Sequence, residues 1–231
     1  MNITQEAEEQ RKMAIEKLNN IQAESKYLYI LDPGHGGMKN GVYQTSGKRS
    51  PIWDDGTQYF EGVGNREVAK KVGDKLKDLK IDFAYTVEPT DATDVSLKER
   101  VKWVNELPYK NVILISLHSN GASAEAAQGW EIYTSPGETT SDRIATVFYN
   151  RFQDKFLDRK FRKDTRDGDP DKEANFYIIK KTVCPAILLE NFFHTNEYEC
   201  KNILMTDEGQ NKIVDAIIES ITFIELNGIP K

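Results

Sequence analysis

The chain carries three histidines, His35, His118 and His194, and two of them sit where an ion or a reacting group could be held. His35 lies in Asp32-Pro33-Gly34-His35-Gly36-Gly37, directly after the apolar run Tyr27-Leu28-Tyr29-Ile30-Leu31. His118 lies in Ser116-Leu117-His118-Ser119-Asn120, at the end of the run that begins at Val112. Both runs read as buried strands, and in open α/β sheets ligands gather outside the carboxyl ends of the strands. Two imidazoles placed in this way face one crevice. Glu190 closes a third apolar run, Pro185-Ala186-Ile187-Leu188-Leu189. A carboxylate there costs desolvation free energy unless it is paired or used, and burial raises its pKa towards that of a general base near neutral pH. Two histidines and a carboxylate with an open fourth position are a common catalytic zinc set. The helical H-E-x-x-H pattern of many metalloproteases is absent. Each residue also has a plainer reading: a histidine hydrogen-bonded at a strand end, a glutamate turned to solvent. The residues alone therefore point to a hydrolase with a metal built on strand ends and leave those alternatives open.

The elements that must position these groups follow from periodicity. Val112-Ile113-Leu114-Ile115-Ser116-Leu117 is the strongest strand signal, and 83–87, 130–134, 176–179 and 186–189 are further predicted strands. Val68, Val72, Leu76 and Leu79 recur at helical spacing over about 61–79. Ser96 and Glu99 form a capping box ahead of Leu97, Val101 and Val104. Ile144, Val147, Phe148 and Phe152 predict a helix near 141–158. Ile213, Ile217, Ile221 and Ile224 predict a closing helix that stops at Gly228. The stretch from Gly36 to Tyr59 has no period and reads as a long loop, as does the charged stretch 159–174. Alternating strands and helices give an α/β fold, a single domain with a mixed, mostly parallel sheet covered by helices on both faces. Residues 1–26 read as an N-terminal helical extension, polar with Ala7, Ala14, Leu18 and Ile21 near one face, and 27–231 as the catalytic domain.

Composition narrows the setting. The 231 residues suffice for one sizeable core. The formal net charge is −6, against the basic excess of a general nucleic-acid binder, so no nucleic-acid partner is expected. No stretch approaches the ~20 apolar residues of a membrane span, and the first residues lack the apolar core of a secretory signal. The expectation is a chain made in the cytoplasm, without membrane insertion. Cys184 and Cys200 are too far apart for the usual zinc pair and read as reduced thiols.

Taken together, these segments resemble the N-acetylmuramoyl-L-alanine amidases of the zinc family often called amidase type 3. Asp32 to Gly37 resembles that family's opening motif. Glu61 and Asn65, in Phe60-Glu61-Gly62-Val63-Gly64-Asn65-Arg66, match its glutamate ligand and the asparagine four residues later. Ser116 to Asn120 matches its second-histidine segment, and Glu190 to Asn196 its E-x-x-F-x-x-N segment. Smaller matches are Ser96 to Asn105 and Gly129-Trp130-Glu131-Ile132-Tyr133-Thr134. The likeness runs from about residue 28 to 226. The long Gly36–Tyr59 loop, with Gly47-Lys48-Arg49-Ser50-Pro51, looks like a branch found in phage and gut-bacterial enzymes. Gly64 and His194 depart from the commonest pattern, and His194 is expected at the surface or behind the ligands. Glu67 is a rival to Glu61 on the same helix, but Glu61 has the Asn65 spacing and the position nearest the strand ends.

The resemblance implies Zn²⁺ on His35, Glu61 and His118, with Glu190 as the catalytic proton carrier. The implied reaction is hydrolysis of the amide between N-acetylmuramic acid and L-alanine in bacterial peptidoglycan. Arg100, Arg166 and Asn120 are candidate substrate contacts, because guanidinium planes bind the carboxylates of peptide stems well. For each arginine an ordinary ion pair is the competing reading. Two other functions stay open: a wall-binding module that no longer cuts, and a peptidase acting within the stem. The chain would act on the cell wall, as an endolysin-like enzyme released by lysis, and residues 3–24 could dock a partner or a second copy.

Overall fold

The structure is a computed structural model, and it describes residues 25–231 apart from residue 125; the expected helix at 3–24 lies outside the described residues. A six-stranded sheet organises the chain. It comprises β1 (Leu28–Pro33), β4 (Phe83–Tyr85), β5 (Val112–Asn120), β6 (Glu131–Thr134), β7 (Lys172–Glu173) and β8 (Ala186–Phe193), in the order β4-β1-β5-β8-β6-β7. The first four strands in that order run parallel, β6 is antiparallel to β8, and β7 is parallel to β6. The expected mixed, mostly parallel sheet is thus observed.

Alternation along the central strands divides the core into two layers, since successive side chains point to opposite faces. Tyr29, Leu31, Ile113, Ile115, Leu117, Ile187 and Leu189 pack with helices α1 (Glu61–Asp78), α3 (Thr140–Lys155) and α5 (Asp207–Asn227). Leu28, Ile30, Val112, Leu114, Ala186 and Leu188 pack with α2 (Leu97–Asn105) and α4 (Tyr177–Lys181). Ile213, Ile217, Ile221 and Ile224 of α5 are fully buried, as their spacing predicts, and Gly228 ends the helix at φ 77°. The Ser96–Glu99 capping box forms, each partner satisfying a free N–H of the other.

One expected strand is a helix. Residues 176–179 read as a strand, but Tyr177–Lys181 is α4. Ile178 and Ile179 are both buried while Phe176 and Tyr177 are exposed, a pairing that a period of two cannot give. A short apolar run does not by itself distinguish the two states. The Gly36–Tyr59 stretch is not structureless either. It contains a two-residue antiparallel pair, β2 (Met38–Lys39) with β3 (Val42–Tyr43), and an isolated bridge from Arg49 to Phe60.

Candidate metal centre

His118 and Glu190 are direct cross-strand partners in the parallel β5–β8 pair, and Glu190 is in turn paired with Glu131 on β6. The even-numbered positions that bury Val112, Leu114 and Leu188 thus end in functional groups. Just beyond Glu190 the register shifts: Asn120 pairs with Phe193, so three residues of β8 oppose two of β5, and Phe192 takes φ 64°. This bulge ends the regular ladder beside Glu190. The buried Glu199 carboxylate holds it by accepting from the N–H groups of Phe193 and Gly129.

His35 follows β1 in the left-handed region, at φ 66°. Its carbonyl accepts from two guanidinium groups, Arg66 Nη1 at 2.7 Å and Arg100 Nη2 at 3.0 Å. Asn65 Nδ2 donates to Gly34 O at 3.2 Å. The turn is therefore held from both α1 and α2. Gly34 is required by close approach, since a Cβ there would lie 2.2 Å from the His118 ring. Gly62 is required in the same way, because its Cβ would meet Gly36 O at 2.0 Å. That contact brings the first turn of α1 onto the His35 turn and delivers Glu61 between the histidines.

The result is a compact cluster. His35, Glu61 and His118 each offer a ligand atom, all within 4.8 Å of one another. Glu61 Oε1 lies 3.0 Å from His118 Nδ1 and 3.1 Å from His35 Nε2. The imidazole planes are perpendicular, with centroids 4.9 Å apart. Burial raises the Glu61 carboxyl pKa, but hydrogen bonds and charge from His118 and His35 outweigh it and leave the group far below the usual range. His118 is shifted up: burial opposes its charge, and Glu61 more than compensates. Glu61 Oε2 and Glu190 Oε2 are buried with no hydrogen-bond partner, and His35 Nε2, although 3.1 Å from Glu61 Oε1, makes no well-aligned hydrogen bond. Unsatisfied polar atoms are rare in native interiors, and the two belonging to the His/Glu/His cluster are what a bound divalent ion would satisfy. The donor set suits zinc, with two imidazoles, one carboxylate and room for a fourth ligand.

Glu190 Oε2 is buried, and desolvation, reinforced by the Glu61 charge, pushes its pKa up to about 8 against the pull of His118. The neighbouring Glu131 is saturated. It accepts from Asn120 Nδ2 at 2.9 Å, Tyr133 OH at 2.6 Å, Lys172 Nζ at 2.9 Å and Arg162 Nε.

The other expected site residues fare differently. Arg100 does not face a groove. It is 2% exposed and donates to Asp32 Oδ1, Pro33 O, Val95 O and His35 O, so it braces the histidine turn and has no donor facing substrate. Arg166 is exposed and paired with Asp164 two residues away, an ordinary local ion pair. Asn120 is engaged with Glu131 at the edge of the site. Asp32, near His35 in sequence, pairs with Arg100, Ser116 and Thr86 rather than with an imidazole. His194 is buried, not at the surface, and its Nδ1 lies 3.1 Å from Ser119 Oγ, behind the cluster; burial lowers its pKa. Glu67, the rival to Glu61, is exposed and accepts from Gln210. Arg66 and Glu131 were given no role from sequence. The signal for Arg66 was available: an arginine one position after Asn65, on the buried side of an amphipathic helix.

Comparisons with known proteins bear on the family and the fold. Residues 30–223 match the model of the Amidase_3 family, described as N-acetylmuramoyl-L-alanine amidase. The protein YqiI of Bacillus subtilis (strain 168) is 30% identical over 199 residues, covering 86% of this chain and 84% of that protein. The N-acetylmuramoyl-L-alanine amidase LytC of the same organism is 26% identical over 194 residues, 82% of this chain but 34% of its own length. Among solved structures, the catalytic domain of CwlV, an N-acetylmuramoyl-L-alanine amidase from Bacillus (Paenibacillus) polymyxa var. colistinus, superposes with a TM-score of 0.64 at 26% identity. The match covers 89% of this chain and 99% of that one. With four motifs in order, a matching fold and a family model that spans most of the sequence, this chain belongs to the N-acetylmuramoyl-L-alanine amidase family, Amidase_3.

Proposed function

We propose that the chain is a zinc-dependent amidase that hydrolyses the bond between N-acetylmuramic acid and L-alanine in bacterial peptidoglycan. In this reading His35, Glu61 and His118 hold the ion and Glu190 moves the proton. The observation that carries it is the cluster itself: three ligand atoms within 4.8 Å, two of them on side chains with an unsatisfied buried atom, beside an unpartnered buried carboxylate. Zinc bound there would lower the pKa of a coordinated water to about 7 and polarise the scissile carbonyl. Glu190 takes the proton of the attacking water and gives it to the alanine nitrogen as that amine leaves. Its raised pKa suits both halves of this exchange, because a group that titrates near the working pH can accept and then donate. Arg66, Arg100 and Asn65 act on no substrate atom in this scheme; they keep the His35 turn in its left-handed conformation.

The catalytic domain in this reading is 27–231, with 1–26 as an extension available to a partner or a second copy. The site of action is the cell wall. Mass analysis of peptidoglycan digested with and without added zinc tests the proposal. The expected products are stems with a free L-alanine amino group. Products cut within the stem would replace the amidase with a peptidase, and new reducing ends would exclude both. Replacing Glu190 by glutamine keeps the size and removes the titrating group. Glu190→Gln is expected to lower kcat by roughly 10²–10⁴-fold while bound zinc, measured by elemental analysis, stays stoichiometric.

A further inference from the structure

The site as described has a base and a metal cluster, and among the described residues most cations near it are not free to meet the charge of a peptide stem. The arginines and lysines around it are already engaged. Arg66 and Arg100 are buried and donate to backbone carbonyls or Asp32. Arg162 and Lys172 share Glu131, and Arg166 is held by Asp164. Lys48 is the exception. Its side chain is exposed, and among the described residues no carboxylate lies within ion-pair distance of it.

Its position is nevertheless tightly defined. Lys48 O accepts the N–H of Glu61 at 3.0 Å, so the lysine is tethered to the first residue of α1, itself in the metal cluster. Arg49 bridges to Phe60, and its guanidinium rests over the rings of Phe60 and Tyr43. Ser50 exchanges two hydrogen bonds with Tyr59, backbone N–H to carbonyl at 2.9 Å and backbone N–H to hydroxyl at 2.9 Å. Gln58 Nε2 donates to Ser50 O at 2.8 Å, and Asp55 at the loop's far end pairs with Lys201 at 2.8 Å. These contacts zip 48–51 against 58–61 and hold the Lys48 backbone against the first residue of α1, beside the cluster. Its charge acts on Glu190 and His194, and no hydrogen bond or ion pair joins it to either.

We propose that Lys48 is a specificity-determining residue that binds a carboxylate of the peptide stem beside the scissile amide. This rests on the amidase reading. A lysine ammonium is a compact point charge on a flexible arm, suited to one carboxylate at the rim of a groove rather than to a planar bidentate clamp. Because the loop backbone is already ordered, forming the contact costs mainly the rotamer freedom of the lysine side chain.

The test uses two synthetic muramoyl peptides of one sequence, one with free stem carboxylates and one with those carboxylates amidated. Lys48→Met is expected to lower kcat/KM three- to tenfold on the free acid, through KM, and to leave the amidated substrate unchanged. Lys48→Arg should recover most of the loss, and thermal melting should match the wild type. Equal losses on both substrates, or none on either, would overturn the proposal. Calorimetric binding of the same ligands to Glu190→Gln chains, with and without Lys48→Met, separates this from the reaction itself. A selective three- to tenfold weakening towards the free acid supports Lys48 even if product analysis were to place the cut elsewhere. Unselective binding overturns it even if the amidase reading stands.

Discussion

At the scale of single residues, the site depends on contacts that leave no space. Gly34 is the sharpest case, because any side chain there meets the imidazole of His118. Gly34→Ala is expected to displace His118 or the His35 turn by more than a flexible neighbour can absorb. Its zinc affinity, measured by competition with a chromogenic chelator, should fall by at least tenfold, with a loss of stability of about 1–3 kcal/mol, as is typical of overpacking. Wild-type affinity in that variant would show that the histidines do not need this approach. The same scale shows what could be read from sequence. His35, His118 and Glu190 were recognisable because each follows an apolar run, and the strand end dictates where such a residue points. Glu61 was not recognisable in that way: a glutamate at a helix start looks like an ordinary favourable dipole partner. The family likeness, through the Asn65 spacing, and its place at the helix start nearest the strand ends singled it out from Glu67, and the structure brings Glu61, not Glu67, to the histidines. Arg100 shows the converse error. An arginine capable of binding a substrate carboxylate is equally capable of binding Asp32 and three carbonyls, and nothing in its neighbours reveals which.

At the scale of elements, the strongly periodic segments and the short strands β4 and β6 were legible, whereas the shortest helix and the edge strand were not. The five-residue helix α4 is too short for a period to declare itself, and packing of Ile178 and Ile179 decided its state. The edge strand β7 was hidden in a charged stretch for a related reason: two residues, Lys172 and Glu173, pair with β6 and carry no apolar pattern. That edge has its own electrostatics. Asp171, just before β7, is 1% exposed; its Oδ2 accepts from Thr134 at 2.6 Å and its Oδ1 has no partner. Burial, then hydrogen bonding and charge from Asp169 with a further contribution from Asp142, pushes its pKa up to about 8. In the unfolded chain an aspartate titrates near about 3.9. Between these values the folded state holds a proton that the unfolded state has lost, so this group makes stability fall as pH rises across that window. The slope it contributes is at most one proton, about 1.4 kcal/mol per pH unit. Asp171→Asn imitates the protonated acid. Denaturant titrations from pH 5 to 8 should show a flatter profile for this variant and a gain in stability over wild type that grows with pH. Parallel profiles would mean that Asp171 is ionised in the folded protein.

At the scale of the whole molecule, the cluster draws on three separate stretches of the chain that the sheet and the first turn of α1 bring together. His35 follows β1, Glu61 opens α1 and His118 ends β5, so an ion held by all three would link two neighbouring strands to a helix packed on one face of the sheet. The buried Glu61 Oε2 and the poorly aligned His35 Nε2 would each gain a partner from a cation bound between them. A ligand that binds the folded state alone stabilises it by RT ln(1 + [L]/Kd), about 2.7 kcal/mol at a hundredfold excess over Kd. For a domain of this size each kcal/mol moves Tm by roughly 2–4 °C. Zinc at that excess is therefore expected to raise Tm by roughly 5–11 °C over the chelator-treated protein. His118→Ala removes one ligand and should abolish most of that difference, whereas Glu190→Gln, which leaves the three ligands in place, should retain it. Scanning calorimetry on the three proteins, with zinc and with chelator, makes the comparison. An equal zinc response in wild type and His118→Ala would place the ion elsewhere. A full response in wild type and Glu190→Gln with none in His118→Ala would separate the residues that hold the metal from the one that moves the proton.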